Sequence, residues 1–441
     1  MTPRPALERP IGLLHATAMV VGIIAGVSIF VQPSEIIRYV PGIPGVLAVW
    51  TAAGLLTLAG ALVAAELASA FPRTGGLYVF LKETISPACG FMWGWAMLWS
   101  MHSGIIAASA VIFGRSLARI VPLGDFGIRL AAIGVIVILS MVNYIGVRQG
   151  SLLQTIVTIA KIAAIVLILA MVVLFGSAAR STPQPAAAAS TPFHYFVLAV
   201  GAGLFTFGGW HMVTYAAGET RNPERTIPRA LLIGVLTVTV CYLALNAAYL
   251  YLLSPQTISG SNLIIADAAN AVAGPRAAAA VSALVILSSL GVLNGVILAG
   301  PRTYYAMATE GLAFRWLAAV HPRFHTPYKA IVLQMVWACF LVSIGSYLAL
   351  FTAVIYTEWF FFALMTIGLF RLRRRASYSP RFRAWGFPVV PLLFAVSAFV
   401  VAAIQCARSL TTDPWKTALG LLLVMLGLPL YYLWKRPHAH H

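Results

Sequence analysis

The sequence predicts an all-α polytopic membrane protein with about twelve transmembrane helices. Its 441 residues are 61% hydrophobic and only 9% charged, with a mean hydropathy of +0.91. A water-soluble domain cannot remove that much apolar surface from solvent. Apolar runs of roughly twenty residues recur along the chain, which suits helices across a core of about 30 Å and not the alternating pattern of a barrel.

Proline, glycine and charge clusters separate the individual spans. The predicted spans are 11–39, 45–70, 88–119, 127–147, 152–175, 194–218, 228–253, 277–307, 329–347, 350–371, 387–408 and 416–434. Between the second and third, FPRTGGLYVFLKETISP (71–87) is too polar to cross and predicts a short amphipathic element at the cytoplasmic face.

The net charge of +18 is distributed among short connections between spans and forms no continuous basic face, so we expect no nucleic-acid partner. About twenty basic residues fall on the side of the N-terminus and about eight on the other, which makes the N-terminal side cytoplasmic. We therefore expect both termini in the cytoplasm of a plasma-membrane protein. The densest cluster, RLRRR (371–375), could also recognise anionic lipid.

Two of the predicted spans are interrupted. The first contains Gly26 and Ser28 within GIIAGVSIFVQPSE, and the sixth contains the doublet Gly208-Gly209 within FTFGGW. Helices five spans apart run in opposite directions, so the pattern predicts an inverted repeat, spans one to five against six to ten, followed by two further helices. Glycines that merely allow close helix packing are the simpler alternative.

Each interruption offers unpaired backbone groups, which lipid tolerates only where they face a cavity or a ligand. The amides of residues 26–28 can receive a carboxylate, and the carbonyls near Ile24, Phe205 and Gly208 can receive an ammonium. A zwitterion needs both. The sequence therefore favours an α-amino acid as substrate.

Several stretches resemble one known family in order along almost the whole chain. IIAGVSIFVQP resembles the Gly-Ser-Gly-Ile-Phe signature of the amino acid/polyamine/organocation (APC) superfamily, and FTFGGW (205–210) resembles the Phe-Ala-Tyr-Gly-Gly-Trp of its L-amino acid transporter group. The connecting motifs that agree are AELASAFPRTGGLY (65–78), GETRNPERTIPRAL (218–231), LNG (293–295) and EGLAFRWLAAVHPRFHTP (310–327).

This resemblance implies a LeuT-like fold, with a 5+5 inverted repeat, broken helices 1 and 6 and two appended helices, working by alternating access. It implies that Phe205 is an aromatic gate over the substrate. The implied units are a cytoplasmic tail 1–10, a first repeat 11–175, an external linker 176–192, a second repeat 193–375, appended helices 376–434 and a cytoplasmic tail 435–441. The expected substrate-binding residues are Ile24, Ala25, Gly26, Val27, Ser28, Phe205, Thr206, Phe207, Gly208 and His211.

This chain departs from the family pattern at two places. Val27 and Ser28 stand where the family has serine and glycine, so a side chain narrows the expected carboxylate pocket. His211 stands where an uncharged amide is usual, and histidine can change charge near neutral pH. We expect both differences to affect which amino acid is carried.

Two ionisable residues lie deep in predicted spans, where such groups are costly and usually functional. The resemblance places Lys161 near the site that sodium occupies in related carriers, so its ammonium could replace the ion, or exchange a proton. Glu358 could bind a cationic side chain or a proton, or pair with Lys161 or Tyr356. Asn294 either lies behind the site or joins helices.

Other polar residues predict ion pairs that close the protein at one membrane face, and they predict no metal or cofactor site. Glu66 and Glu219 lie beside basic residues at one membrane face, where ion pairs with Arg73 or Arg225 would close the inner side. The four cysteines have neither disulfide nor metal spacing, so we expect no metal and no cofactor. None lies in a clear external loop, so we expect no obligate partner subunit.

The function predicted is sodium-independent transport of amino acids, namely neutral L-amino acids by exchange. A proton-coupled symporter is the alternative within the same class. A sensor or accessory subunit that keeps the fold without cycling belongs to another class. An enzyme is disfavoured, because the sequence shows no paired carboxylates, nucleophile–base pair or phosphate-binding loop.

Overall fold

A computed structural model describes residues 7–179, 191–274, 277–345 and 347–435. The helices of the first half are α1 (Leu13–Ile24), α2 (Gln32–Tyr39), α3 (Ile43–Ala70), α4 (Leu77–Thr84), α5 (Pro87–Ala96), α6 (His102–Leu117), α7 (Asp125–Ile145) and α8 (Val147–Ala179). Those of the second half are α9 (Phe193–Thr206), α10 (Pro223–Leu252), α11 (Pro255–Gly260), α12 (Ile264–Ala273), α13 (Ala277–Thr309), α14 (Tyr328–Ile344), α15 (Tyr347–Arg373), α16 (Val389–Thr412), α17 (Pro414–Met425) and α18 (Gly427–Lys435).

The predicted membrane spans are present. Within the described residues, nine helical stretches are long and apolar enough to cross a membrane. The broken span α1–α2, the shorter apolar helix α14 and the helix α15 account for the others. The protein is therefore a multi-pass α-helical membrane protein, as the composition predicted.

The two interrupted spans continue after their breaks as tighter 3₁₀ helix. One short turn, Val27–Phe30, lies between α1 and α2. A longer stretch, Trp210–Glu219, follows α9, and we call it the Trp210 segment. A π-helical turn, Met97–Met101, joins α5 to α6 without ending the third span.

Helix α1 lies at the centre of the molecule, packed against α8, α10 and α13. Glycine allows two of these close contacts. A Cβ at Gly22 would lie 2.2 Å from the Gln154 side-chain nitrogen on α8, and a Cβ at Gly295 of α13 would lie 2.2 Å from Ile23. Small residues at such contacts are how membrane helices approach closely. The equivalent helices of the two predicted repeats, α3 and α10, also pack along each other.

The structure differs from the sequence prediction in its connecting segments. The element predicted in 71–87 is helix α4, but Leu77 to Leu81 are all buried against neighbours that include α5 and α15, so it is part of the core and not a surface helix. Helix α8 continues to Ala179, beyond the start predicted for the linker 176–192. The rest of that linker, and most of both terminal tails, lie outside the described residues.

Candidate binding site

The first interruption is a tight turn followed by a new helix start. Ala25 has φ −71° and ψ 64°, which is an inverse γ-turn, and the Gly26 amide donates to the Ile24 carbonyl at 2.6 Å. The chain re-enters helix at Val27. Among the described residues, the amides of Val27 and Ser28 make no backbone hydrogen bond, as expected for a helix start. These two amides remain available to an anion.

The second interruption follows Thr206, where α9 ends. Gly209 has φ 90°, a left-handed conformation that favours glycine, and the chain then enters the Trp210 segment. The Gly208 amide donates to the Phe205 carbonyl at 3.1 Å. The Gly208 carbonyl accepts no hydrogen bond in the part of the chain that the structure describes. That oxygen is available to a cation.

A tyrosine on α10 joins the two interruptions. The Tyr242 hydroxyl lies 2.9 Å from the Ile24 carbonyl oxygen and 3.2 Å from the Thr206 carbonyl oxygen, and the side chain is fully buried. Its ring packs edge-on against Phe207 at 5.0 Å between centroids. The hydroxyl therefore shares its one hydrogen between carbonyls of both breaks. Sequence reasoning missed this residue, because one tyrosine in an apolar helix gives no signal of its own.

Lys161 holds the end of α1 from the other side. Its ammonium donates to the carbonyls of Ala25 at 2.6 Å, Gly22 at 3.1 Å and Ser288 at 3.4 Å. All three ammonium hydrogens are thus used on carbonyl oxygens of α1, of Ala25 directly after it and of α13. The alternative of a Lys161–Glu358 pair is wrong, because no contact joins these side chains.

Both interruptions face one cavity of about 290 Å³, close to the lower end of small-molecule sites. The predicted residues that line it are Ile24, Gly26, Val27, Ser28, Phe205, Thr206 and Gly208. Ala25, Phe207 and His211 do not line it. Polar and aromatic lining residues that sequence reasoning did not assign to the site are Gln32, Ser109, Trp210, Ser289, Trp359 and Phe362.

Some backbone groups that the sequence predicted to bind the ligand are already hydrogen-bonded within the protein. Gly26 uses its amide within the turn, and the Ile24 carbonyl already accepts from that amide and from Tyr242. The Phe205 carbonyl accepts from Gly208. Of the groups predicted from sequence, the amides of Val27 and Ser28 and the carbonyl of Gly208 remain for a zwitterionic ligand.

His211 and Asn294 lie behind the cavity. His211 is 1% exposed and packs among rings, with Phe362 at 4.8 Å between centroids; neither ring nitrogen has a hydrogen-bond partner among the described residues. Asn294 accepts from the Asn143 amide at 2.9 Å and donates to the Gln154 side chain at 2.8 Å. It thus joins α13 to α7 and α8.

Glu358 of α15 reaches the cavity itself. It is 6% exposed and lines the cavity beside Trp359. Its Oε1 atom has no hydrogen-bond partner among the described residues, and the expected alternative of a bond to Tyr356 is wrong, since that hydroxyl is also unpartnered. Glu358 therefore lines the cavity and carries one buried carboxyl oxygen that has no hydrogen-bond partner among the described residues.

Ion pairs close the molecule on the side of the N-terminus. Arg302 of α13 donates to Glu219 at 2.7 and 3.1 Å, and both side chains are fully buried. Arg373 of α15 donates to Glu66 at 2.6 and 2.9 Å. The predicted partners were therefore wrong for both carboxylates.

Two tyrosines outside the spans belong to the same closed side. Tyr78 donates to Glu310, and burial together with this bond raises the pKa of the phenol well above its usual range. Burial and the adjacent Glu66 carboxylate raise the pKa of Tyr378 in the same way. Both hydroxyls therefore stay protonated, as donors, at neutral pH.

The cavity extends to the molecular surface on the opposite side. Val31 and Ile112, which line it beyond the first break, are 40% and 37% exposed. The segment before α1 is fixed by the Ile11 amide, which donates to the Glu219 carbonyl at 3.1 Å. The structure is thus open on one side of the breaks and closed on the other.

Along almost its whole length, the chain is similar in sequence to known amino acid permeases. Residues 11–426 match the family model described as amino acid permease. The chain is 32% identical over 438 residues to the serine/threonine exchanger SteT of Bacillus subtilis, covering 98% of both chains. It is 27% identical over 435 residues to the human cystine/glutamate transporter, with 97% of this chain and 85% of that protein covered. It is also 27% identical over 436 residues to the b(0,+)-type amino acid transporter 1 of Mus musculus, with 97% and 88% covered.

Proposed function

This chain belongs to the amino acid permease family, and from that premise we propose that it exchanges neutral L-amino acids across the plasma membrane without sodium. Amino acid transport itself follows from the family and from relatives that are amino acid transporters and exchangers, none of them an enzyme. The exchange mode, the neutral L-amino acid substrate, the sodium independence and the plasma-membrane location are the proposed parts.

One observation carries the proposal: two interrupted helices place one carbonyl and two amides around a single cavity, and none of the three has a backbone hydrogen-bond partner among the described residues. The amides of Val27 and Ser28 would bind the substrate carboxylate, and the Gly208 carbonyl would accept from its ammonium. Phe205 lines the same cavity and would cover the bound substrate. The cavity volume of about 290 Å³ is near the lower end for small-molecule sites, so the cavity suits a small or medium amino acid.

The position of Lys161 supports sodium independence. In carriers with broken helices, unwound carbonyls can coordinate sodium. Here the carbonyls of Gly22, Ala25 and Ser288 already accept hydrogen bonds from one ammonium. The Lys161 ammonium would then stabilise α1 where related carriers use a sodium ion.

Purified protein in liposomes tests the proposal. Labelled L-threonine should enter vesicles preloaded with L-threonine and not empty ones, at equal rates with sodium or choline outside. Uptake into empty vesicles driven by an inward proton gradient would replace exchange with symport. No uptake of any amino acid in either condition would leave a sensor or accessory subunit.

The same preparation tests whether the chain acts alone. The cysteines are free, and each is buried or half-buried in a helix of the described chain, so we propose that no covalently attached partner subunit is needed. Transport by the single purified chain is the expected result. Activity only after addition of a membrane extract would contradict it.

A further inference from the structure

Glu358 lies in the wall of the cavity, and its carboxyl group forms no ion pair within the described residues. Lys161 is the other ionisable residue deep in a span, but its ammonium donates to the carbonyls of Gly22, Ala25 and Ser288. Arg373 lies fifteen residues further along α15, roughly 22 Å away at 1.5 Å per residue, and binds Glu66 there. No described basic side chain is placed to neutralise Glu358.

Two titratable groups near Glu358 belong to the Trp210 segment. Tyr215 of the Trp210 segment lies within reach of its charge. His211 of the same segment contacts Tyr215, with ring centroids 5.5 Å apart. Other titratable groups lie on α15 and on helices packed against it: His102 of α6, which contacts Tyr304 of α13, Tyr356 of α15, Cys406 of α16, and Tyr78, Lys82 and Glu83 of α4 at the closed end.

None of these groups supplies a counter-charge. The His102 ring nitrogen Nδ1 is 3.0 Å from the Tyr304 hydroxyl, a bond that a neutral histidine makes well. Lys82 is bound to Glu310 at 2.8 Å. A buried carboxylate is tolerated when it is paired or protonated, and a hydroxyl that merely donates to it leaves the charge uncompensated.

We propose that Glu358 is a charge-compensation subsite, which holds one positive charge whenever the cavity is loaded. The charge is the side-chain ammonium or guanidinium of a cationic amino acid, or a proton taken up with a neutral amino acid. This rests on the proposed exchange function and extends its substrates to cationic amino acids. In the neutral case the proton sits on the Glu358 carboxyl and leaves with the substrate on the other side.

The two loaded forms then carry the same charge. Exchange of an external neutral amino acid for an internal cationic one moves a proton inward and one positive charge outward on the substrate, so the cycle is electroneutral. The pH dependence has opposite signs. Neutral amino acids bind better as pH falls, because the carboxyl becomes protonated, whereas cationic ones bind worse, because the proton competes for the carboxylate.

Wild-type protein in liposomes measures this directly. Vesicles contain L-lysine and a pH-sensitive dye, L-threonine is added outside, and a potassium gradient with valinomycin sets the membrane potential. We expect lumenal acidification by one proton per threonine and a rate independent of potential. A rate that follows the potential without acidification, or threonine exchange in a protein that carries no lysine at any pH, would overturn the proposal.

Two variants test which residue binds the transported proton. Glu358→Gln should lower lysine exchange by more than about tenfold and make threonine exchange independent of pH, because the amide neither pairs with the ammonium nor titrates. His211→Gln is the matched control and should keep both the lysine exchange and the pH dependence. The reverse pattern would assign the proton to His211 and refute the subsite.

A third variant covers the case in which Glu358→Gln is inactive. Glu358→Asp keeps the charge and should retain electroneutral exchange of threonine for lysine, and an electrogenic exchange would count against the subsite. Threonine exchange that is identical in pH profile in wild type and Glu358→Gln would refute the subsite alone. Absence of all amino acid transport in the wild type would remove the proposed function as well.

Discussion

At the scale of single residues, Tyr242 is the contact that couples the two breaks. Replacing it with Phe keeps the ring packing against Phe207 and removes the hydrogen shared by Ile24 and Thr206. Since a buried hydrogen bond contributes about 0.5–1.5 kcal/mol, we expect Tyr242→Phe to lower the initial exchange rate roughly two- to tenfold. Tyr249→Phe is the control on the same helix, because that buried hydroxyl has no partner among the described residues. Equal losses in both variants would show that the hydroxyl bond is not what matters.

Lys161 provides the second test at this scale. Lys161→Ala leaves three carbonyls without their charged donor, and hydrogen bonds to charged groups contribute about 1.5–3 kcal/mol each. We expect exchange in liposomes to fall by more than about tenfold. Lys329→Ala is the comparison, because that ammonium lies 5.8 Å from the Tyr328 ring centroid at the start of α14, away from both breaks. A similar small effect of both changes would refute the role given to Lys161.

The residues of the breaks could be predicted from sequence, whereas their partners could not. Gly26, Ser28 and Gly208 interrupt apolar helices, and an interruption is visible in the sequence itself. Tyr242 and Ser289 lie on unbroken helices, so only the packing of α10 and α13 around α1 brings them to the breaks. Lys161 and Glu358 are both buried, as their depth in the predicted spans indicated. The depth of a residue in a span does not indicate its neighbours, so the contact of Lys161 with α1, and not with the cavity, could not be predicted.

At the scale of elements, the buried pair of Glu219 and Arg302 connects the Trp210 segment to α13. Removing one member of a buried pair leaves an uncompensated charge, so Arg302→Met should destabilise the protein by about 3–5 kcal/mol in a denaturation assay. The double variant with Glu219→Gln should recover most of that loss. Arg381→Met is the control, because Arg381 is 61% exposed in its pair with Glu224 and such pairs contribute about 0–1 kcal/mol. A double variant no more stable than Arg302→Met alone would contradict the pairing.

The sequence correctly indicated that Glu66 needs a basic partner at the closed side, but the partner predicted for it was wrong. Glu66 was expected to pair with Arg73, close to it in the chain, but its partner Arg373 is 307 residues away. Arg73 instead contacts Glu83 and Glu310. Likewise, the polar composition of 71–87 predicted an interfacial helix, whereas the five residues from Leu77 are buried. Local sequence indicates that a carboxylate needs a partner, and the tertiary fold decides which one.

At the scale of the whole molecule, the open and closed sides define one stage of a transport cycle. The cavity reaches exposed Val31, and the opposite side is sealed by Arg302, Arg373 and the segment around Ile11. In the proposed alternating-access cycle, those contacts would separate while Phe205 and α2 would close over the substrate. The charge distribution of the loops predicts that the sealed side is cytoplasmic, so we expect the open side to face outward.

Cysteine accessibility tests both the orientation and the cycle. In a background without the four native cysteines, Ser109→Cys places a thiol in the open cavity, and Thr303→Cys places one in the sealed side, where Thr303 is fully buried. A membrane-impermeant thiol reagent applied to intact cells should label Ser109→Cys and not Thr303→Cys, and bound amino acid should slow the labelling because it fills the same cavity. In inside-out vesicles, Thr303→Cys should become reactive only when substrate is present on both sides, since exchange must open the sealed side in each turnover. Labelling of Ser109→Cys from the cytoplasmic side alone would reverse the orientation, and constant labelling of both variants from both sides would exclude a gated carrier.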